Sequence, residues 1–261
     1  MKNKVIWLTG ASDGIGAAMI PLLKRENVRL VVSARNAEKL SDLLSQNGFN
    51  DSNSLSLPFD LMDFGATEKV NTIVQKFGRI DTVILCAGLN QKSYAFETEQ
   101  QVESAIFQVN YFANIQLIKA LLPVMKAQRS GQIVAISSII AKFGAPFLST
   151  YAASKHALEG YLESLRYEVE ADNIHISVVC PGFVATNIDL KALTKDGAAF
   201  NIKSEAQAKG IAPSKVGKAI IASIKSQKRY KYVGKLEILM PYLNFMLPKT
   251  FYFILKKLHK L

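Results

Sequence analysis

Tyr151 and Lys155, four residues apart, carry the most readable chemistry in this chain. On a helix that spacing puts both side chains on one face, one turn apart. An ammonium beside a phenol favours the phenolate and lowers a pKa that is about 10 in water. A phenol tuned in this way exchanges a proton with a carbonyl or alcohol oxygen near neutral pH. A lone Y-x-x-x-K pair recurs in helix-rich proteins, so its meaning rests on what stands upstream.

Upstream stands a glycine turn, Thr9-Gly10-Ala11-Ser12-Asp13-Gly14-Ile15-Gly16, directly after the first apolar run. Glycines there allow a tight turn and let backbone amides approach a pyrophosphate. The following helix start offers N–H groups and a positive dipole end to the anion. A turn that binds nothing can also be glycine-rich, but a place between strand and helix favours a dinucleotide. The second strand ends in Ser33-Ala34-Arg35, with no acid to hold ribose hydroxyls and a guanidinium suited to a 2′-phosphate. NADP is therefore the expected cofactor and NAD the less favoured one. Asp13 counts against NADP unless its carboxylate caps the helix.

Short β-branched runs that could position these groups fall at 4–9, 28–34, 54–58, 81–86, 132–137, 174–180 and 230–234. Helical patterns lie between them, near 15–26, 36–46, 64–77, 99–127, 151–172 and 213–226. The runs are continuously apolar, as in strands covered on both faces. The expected fold is α/β, a Rossmann-type doubly wound parallel sheet of about seven strands with ligands at the carboxyl ends. The expected layout is one catalytic domain over 1–235, followed by an extension over 236–261.

Five features now stand in register: the turn from Thr9 to Gly16, Asn110, the Ser137-Ser138 pair, Tyr151-x-x-x-Lys155, and Pro181-Gly182 followed by Thr186. Together they resemble the short-chain dehydrogenase/reductase family, in its compact branch of single-domain chains. The resemblance implies hydride transfer between a nicotinamide and a carbonyl or secondary alcohol. It makes Tyr151 the general acid/base, Lys155 the holder of the nicotinamide ribose, and Ser138 the donor to the substrate oxygen, with Ser137 the competing choice. Asn110 would interrupt a long helix and hold a water behind Lys155. Gly10, Ser12, Asp13, Gly14, Ile15 and Gly16 would line the pyrophosphate, and Arg35, Asp60, Leu61, Ala87 and Gly88 the adenosine. Pro181, Gly182, Val184 and Thr186 would line the nicotinamide half. Cys86 departs from the family's usual Asn, which puts one strand-stabilising hydrogen bond in doubt. The resemblance also implies a homodimer or homotetramer paired through the helices near 99–127 and 151–172.

Residues 187–212 would form a mobile lid over the substrate. Leu190, Leu193, Phe200 and Ile202 there, with Phe143, Phe147 and Leu148 before Tyr151, suggest a lipophilic substrate. A catalytically silent NADP-binding sensor or scaffold is the alternative, but such a protein would be expected to have lost Tyr151, Lys155 or Ser138. A sugar-nucleotide epimerase or dehydratase would need a longer substrate domain.

The chain has 261 residues and a net charge of +11, and residues 225–261 alone hold nine Lys/Arg against one acid, Glu237. No nucleic-acid-binding motif accompanies that charge. Pro241, Asn244, Pro248 and Lys249 interrupt the tail too often for a spanning helix. Its aromatic and aliphatic residues beside Lys256, Lys257 and Lys260 suit either a peripheral membrane anchor or packing on protein. Cys86 and Cys180 fit no disulfide or metal spacing, and His156, His175 and His259 show no ligand spacing, so no metal is expected. The first residues run straight into a strand without signal-peptide features, so a cytoplasmic location is the expectation.

Overall fold

A β-branched strand alternates its side chains between two faces, and here both faces are buried. Val5 and Trp7 enter one core cluster while Ile6 and Leu8 enter the other. A computed structural model describes residues 1–258. His259 and Lys260, named above, lie outside the described residues. The strands are β1 (Val5–Thr9), β2 (Arg29–Ser33), β3 (Ser54–Ser56), β4 (Thr82–Leu85), β5 (Gly131–Ile136), β6 (Ile174–Pro181) and β7 (Tyr230–Val233). They form one sheet in the order β3-β2-β1-β4-β5-β6-β7, with every pairing parallel. This is the Rossmann-type α/β fold, and the strand order reverses beside β1, which opens a crevice at the carboxyl ends.

The helices on the second cluster's face include α1 (Gly14–Arg25), α2 (Ala37–Gln46) and α8 (Pro213–Ser226). The opposite face is covered by α3 (Ala66–Phe77), α5 (Ala113–Gln128) and α6 (Ser149–Val169), with α4 (Gln100–Phe107) leading into α5. Each expected strand is present within a residue or two of its predicted ends, and a short α7 (Glu205–Ala208) was not predicted.

The helix expected over 99–127 is not regular. Residues Gln108–Phe112 form one π-turn between α4 and α5, centred on Asn110. A π-turn leaves backbone groups out of the usual ladder, and here Asn114 Nδ2 donates to the Asn110 carbonyl at 2.8 Å. The tail folds as two helices, α9 (Met240–Met246) and α10 (Pro248–Leu258). Their inner residues Met240, Leu243, Phe251 and Leu255 pack with Ile139, Ile140, Phe143 and Tyr151. Among the described residues no helix is long and apolar enough to cross a membrane.

Candidate active site

The glycine turn is shaped by the absence of side chains. Gly10 has φ +65°, and a Cβ there would lie 2.7 Å from the Ala87 backbone. At Gly16 a Cβ would meet the Gly10 carbonyl oxygen at 2.1 Å, so that helix start admits no other residue. Asp13 is the N-cap of α1, its Oδ1 accepting from Gly14 N at 2.7 Å, while Oδ2 pairs with Lys191. Burial opposes its ionisation, but the Lys191 hydrogen bond and the Gly14 amide prevail and hold the carboxyl below its ordinary pKa. The acid that counted against NADP is thus spent on the helix start and on Lys191.

A cleft of about 630 Å³ runs from this turn along the carboxyl ends of β1, β2 and β4. Gly10, Ser12, Asp13, Gly14, Ile15, Gly16, Arg35, Asp60, Leu61, Ala87, Gly88 and Thr186 all line it. Arg35 is exposed and only loosely paired with Asp60, at 4.0 Å. The cleft's size, its glycine cradle and its cations fit a nicotinamide dinucleotide. Trp7 Nε1 donates to Ser33 Oγ at 2.9 Å, so that serine is structural. Cys86 keeps its strand contact through the backbone, its N–H donating to Thr9 Oγ1 at 3.1 Å. Burial pushes its thiol up to about 12.

Pro181, Gly182 and Val184 do not line the cleft. Pro181 closes β6, and Val184 packs into the core with its carbonyl taken by Gln207 Nε2 at 2.5 Å. Gly182 lies under Glu237, whose Oε1 also accepts the Phe183 N–H at 3.2 Å. Of the residues expected at the nicotinamide half, Thr186 lines the cleft, while Pro181, Gly182 and Val184 are held by their neighbours.

At the other end, α6 carries Tyr151 and Lys155 toward the carboxyl end of β5. Ser138 follows that strand and caps a 3₁₀ turn, its Oγ accepting from Ile140 N at 3.3 Å, and its hydroxyl is close enough to the Tyr151 phenol to favour the phenolate. The Ser137 hydroxyl is instead buried with no partner among the described residues, which separates the two serines. Lys155 is buried, and its Nζ donates to the Ile136 carbonyl at 3.0 Å.

The expected depression of the Tyr151 pKa is not found. Burial pushes the phenol up to about 12, partly offset by Ser138, and the buried carboxylate of Asp189 raises it further. Lys155 moves the opposite way, down to about 8, because burial penalises its charge. Its Nζ lies 5.9 Å from the Tyr151 ring and is directed at a backbone carbonyl, so the two groups share a face without a direct bond. The Asn110 side chain is engaged within the protein. Its Oδ1 accepts from Leu89 N at 2.8 Å, and its Nδ2 donates to Leu89 O at 2.9 Å and to Ser154 Oγ at 3.0 Å. It ties the loop after β4 to α6.

The family model for short chain dehydrogenases matches residues 4–197. The chain belongs to the short-chain dehydrogenase/reductase family. It is an oxidoreductase of that family. The cattle protein named dehydrogenase/reductase SDR family member 7B is 35% identical over 260 residues, which cover 97% of this chain and 80% of that relative. A Drosophila melanogaster protein named dehydrogenase/reductase SDR family protein 7-like is 32% identical over 98% of this chain and 81% of its own length. Among solved structures, a short-chain dehydrogenase from Streptomyces avermitilis superposes with a TM-score of 0.80 at 25% identity, over 97% of both chains. Two Burkholderia structures share the fold. The B. phymatum protein, in complex with NAD, has a TM-score of 0.83 at 19% identity, over 94% of this chain and 93% of its own. The B. cenocepacia protein, in complex with NADP, has 0.79 at 22%, over 97% and 98%.

In this short-chain dehydrogenase several site residues escaped sequence reasoning. Lys39 lines the cleft from the first turn of α2, shortly after Arg35. Lys191 comes from the 187–212 segment and joins the glycine turn, a contact no local pattern reveals. Gln91 is fully buried, and its Oε1 accepts from Thr150 N at 2.8 Å and Tyr151 N at 3.4 Å, capping α6 from outside the helix. Glu159, one turn below Lys155, is buried between Lys142 Nζ at 2.6 Å and the Cys180 thiol at 3.3 Å. His156 bonds the Ala152 carbonyl on its own helix at 2.8 Å. Among the described residues no cluster could hold a metal ion.

The 187–212 segment is tied to the body of the protein by hydrogen bonds. Leu193 exchanges backbone hydrogen bonds with Asn90 and Lys92 at 2.9 Å each. Buried Asp189 accepts from Ser204 Oγ at 2.6 Å and Asn90 Nδ2 at 3.2 Å. Phe143 and Leu148 belong to the packed cluster under the tail, whereas Phe147, at φ +66°, joins Tyr94 and Phe96 in an aromatic group at the start of α6.

Proposed function

We propose that this chain is an NADP-dependent oxidoreductase that interconverts a carbonyl and a secondary alcohol on a lipophilic substrate. The observation that carries the reading is the closeness of the Ser138 hydroxyl to the Tyr151 phenol, on the helix of buried Lys155, whose Nζ lies near Gly88 in the lining of a cleft that fits a dinucleotide. Bound NADPH supplies the hydride. Tyr151, which burial keeps protonated, gives its proton to the substrate oxygen, and Ser138 donates a hydrogen bond to the same oxygen. Lys155 supplies positive charge beside the phenol once its proton has left. Ser154 Oγ, bonded to Asn110 and to the Tyr151 carbonyl at 2.8 Å, and Gln91 hold the first turn of α6 in place.

Arg35 and Lys39, with Asp13 already engaged, support NADP over NAD. The half-exposed Tyr94, the nearby Phe96 and Phe147, and exposed Ile202 in the anchored segment support a lipophilic substrate. Exposed Phe112 and Tyr167, at the head of α5 and on α6, support pairing of two copies along these helices. The test is NADPH oxidation against aliphatic, aromatic and polycyclic carbonyls, with Tyr151→Phe as control. Turnover that survives Tyr151→Phe overturns the assigned chemistry. Tight NADPH binding without turnover on any carbonyl favours a silent sensor.

A further inference from the structure

The tail has two different faces. Its inner residues are packed on the chain's own core, with Phe251 edge-on to Phe143 at 5.0 Å. Its outer residues are not covered. Of the sixteen exposed large hydrophobic residues among those described, nine fall between Leu236 and Ile254. Phe245 and Met246 at the turn between α9 and α10 are 85% and 70% exposed, and Phe253 on α10 is 70% exposed. Single exposed apolar residues are ordinary, but a concentration of this kind marks a contact surface.

The charge around that surface identifies its occupant. Lys249, Lys256 and Lys257 are exposed on α10, and no acid occurs from Ile238 to Leu258. The tail's one carboxylate, Glu237, is turned inward onto the amides of Phe183 and Lys235. A second copy of this chain would bring three lysines against three lysines with no acid to answer them. An anionic lipid surface offers both partners at once: headgroup charge for the lysines and an acyl boundary for the aromatic and aliphatic side chains. We propose that the outer face of the α9–α10 hairpin docks on an anionic membrane. The hairpin's inner face packs against the cluster that contains Tyr151, so the docked bilayer lies roughly 10 Å, one helix diameter, from that cluster.

Co-sedimentation of the full chain with phosphatidylcholine vesicles, with and without phosphatidylglycerol, tests this. The chain should pellet with the anionic vesicles, and salt should release it. Lys249→Gln, Lys256→Gln and Lys257→Gln together should lower partitioning onto anionic vesicles by about a hundredfold, each lysine contributing about fivefold. Phe245→Ser with Phe253→Ser should reduce pelleting on both kinds of vesicle. These side chains lie outside the packed cluster, and unchanged NADPH titration and melting confirm that each variant is folded. Failure of the full chain to pellet with anionic vesicles overturns the proposal, as does equal pelleting of the phenylalanine variant. A dimer in lipid-free solution that dissociates in that variant assigns the face to a second copy instead. Because lipid binding is the readout, the result is independent of the reaction proposed above.

Discussion

The proposed phosphate end and the proposed proton-transfer end share the carboxyl edge of one sheet but are made of different materials. At the phosphate end the working parts are backbone amides and missing side chains, and the charged groups, Arg35, Lys39 and Lys191, stand in an open cleft. At the other end the working side chains are buried or half-buried, and polar groups from distant segments hold them. Asn110 reaches across from the π-turn, Gln91 from the β4 loop, and Ile136 offers its carbonyl from β5. An exposed charge attracts an anion and tolerates imprecise placement, whereas a proton transfer needs fixed geometry and a tuned pKa. Substitutions should therefore separate the two ends cleanly.

Tyr151→Phe should give the largest effect, about a thousandfold loss of kcat with NADPH affinity unchanged, read by steady-state turnover and fluorescence titration. An equal loss of affinity would dissolve the distinction between the ends. Arg35→Ala with Lys39→Ala should do the reverse and weaken NADPH binding by about a hundredfold while NADH is little affected. Equal losses for both cofactors would remove the case for NADP. Gln91→Leu should lower kcat by about tenfold and leave the NADPH dissociation constant alone, since it uncaps only the first turn of α6. The smallest effect, a halving, is expected at about pH 8. Raising the pH through about 8 takes the proton from buried Lys155, so kcat/KM should be halved near pH 8 and continue to fall above it. The Tyr151 phenol, pushed up to about 12, stays protonated throughout that range. A kcat/KM that stays flat to pH 10 would show that the lysine's charge is not needed.

The parts legible in the sequence are those encoded locally. The glycine turn, the strands and the Tyr151–Lys155 spacing each depend on a handful of consecutive residues, and each is present in the structure. The π-turn at Asn110 was half legible. Asn is a poor helix former, which marked the position, but its bonds to Leu89 and Ser154 span 21 and 44 residues. The direction of the Tyr151 shift was misread because spacing reports proximity to Lys155 and says nothing of burial. Desolvation is the largest influence on the phenol here.

Residue types and their order in the chain therefore determined the fold class, the family and the candidate proton donor. Tertiary structure alone decided how those groups are tuned and held. It engaged Asp13 with Lys191 across 178 residues, spent the Gln91 amide on the start of α6, and anchored the 187–212 segment through Asp189 and Leu193. It also divided one basic, apolar tail into a packed face and a bare one. The physical reason is common to all of these. Desolvation and long-range hydrogen bonding depend on which distant segments meet, and a linear pattern does not record that meeting.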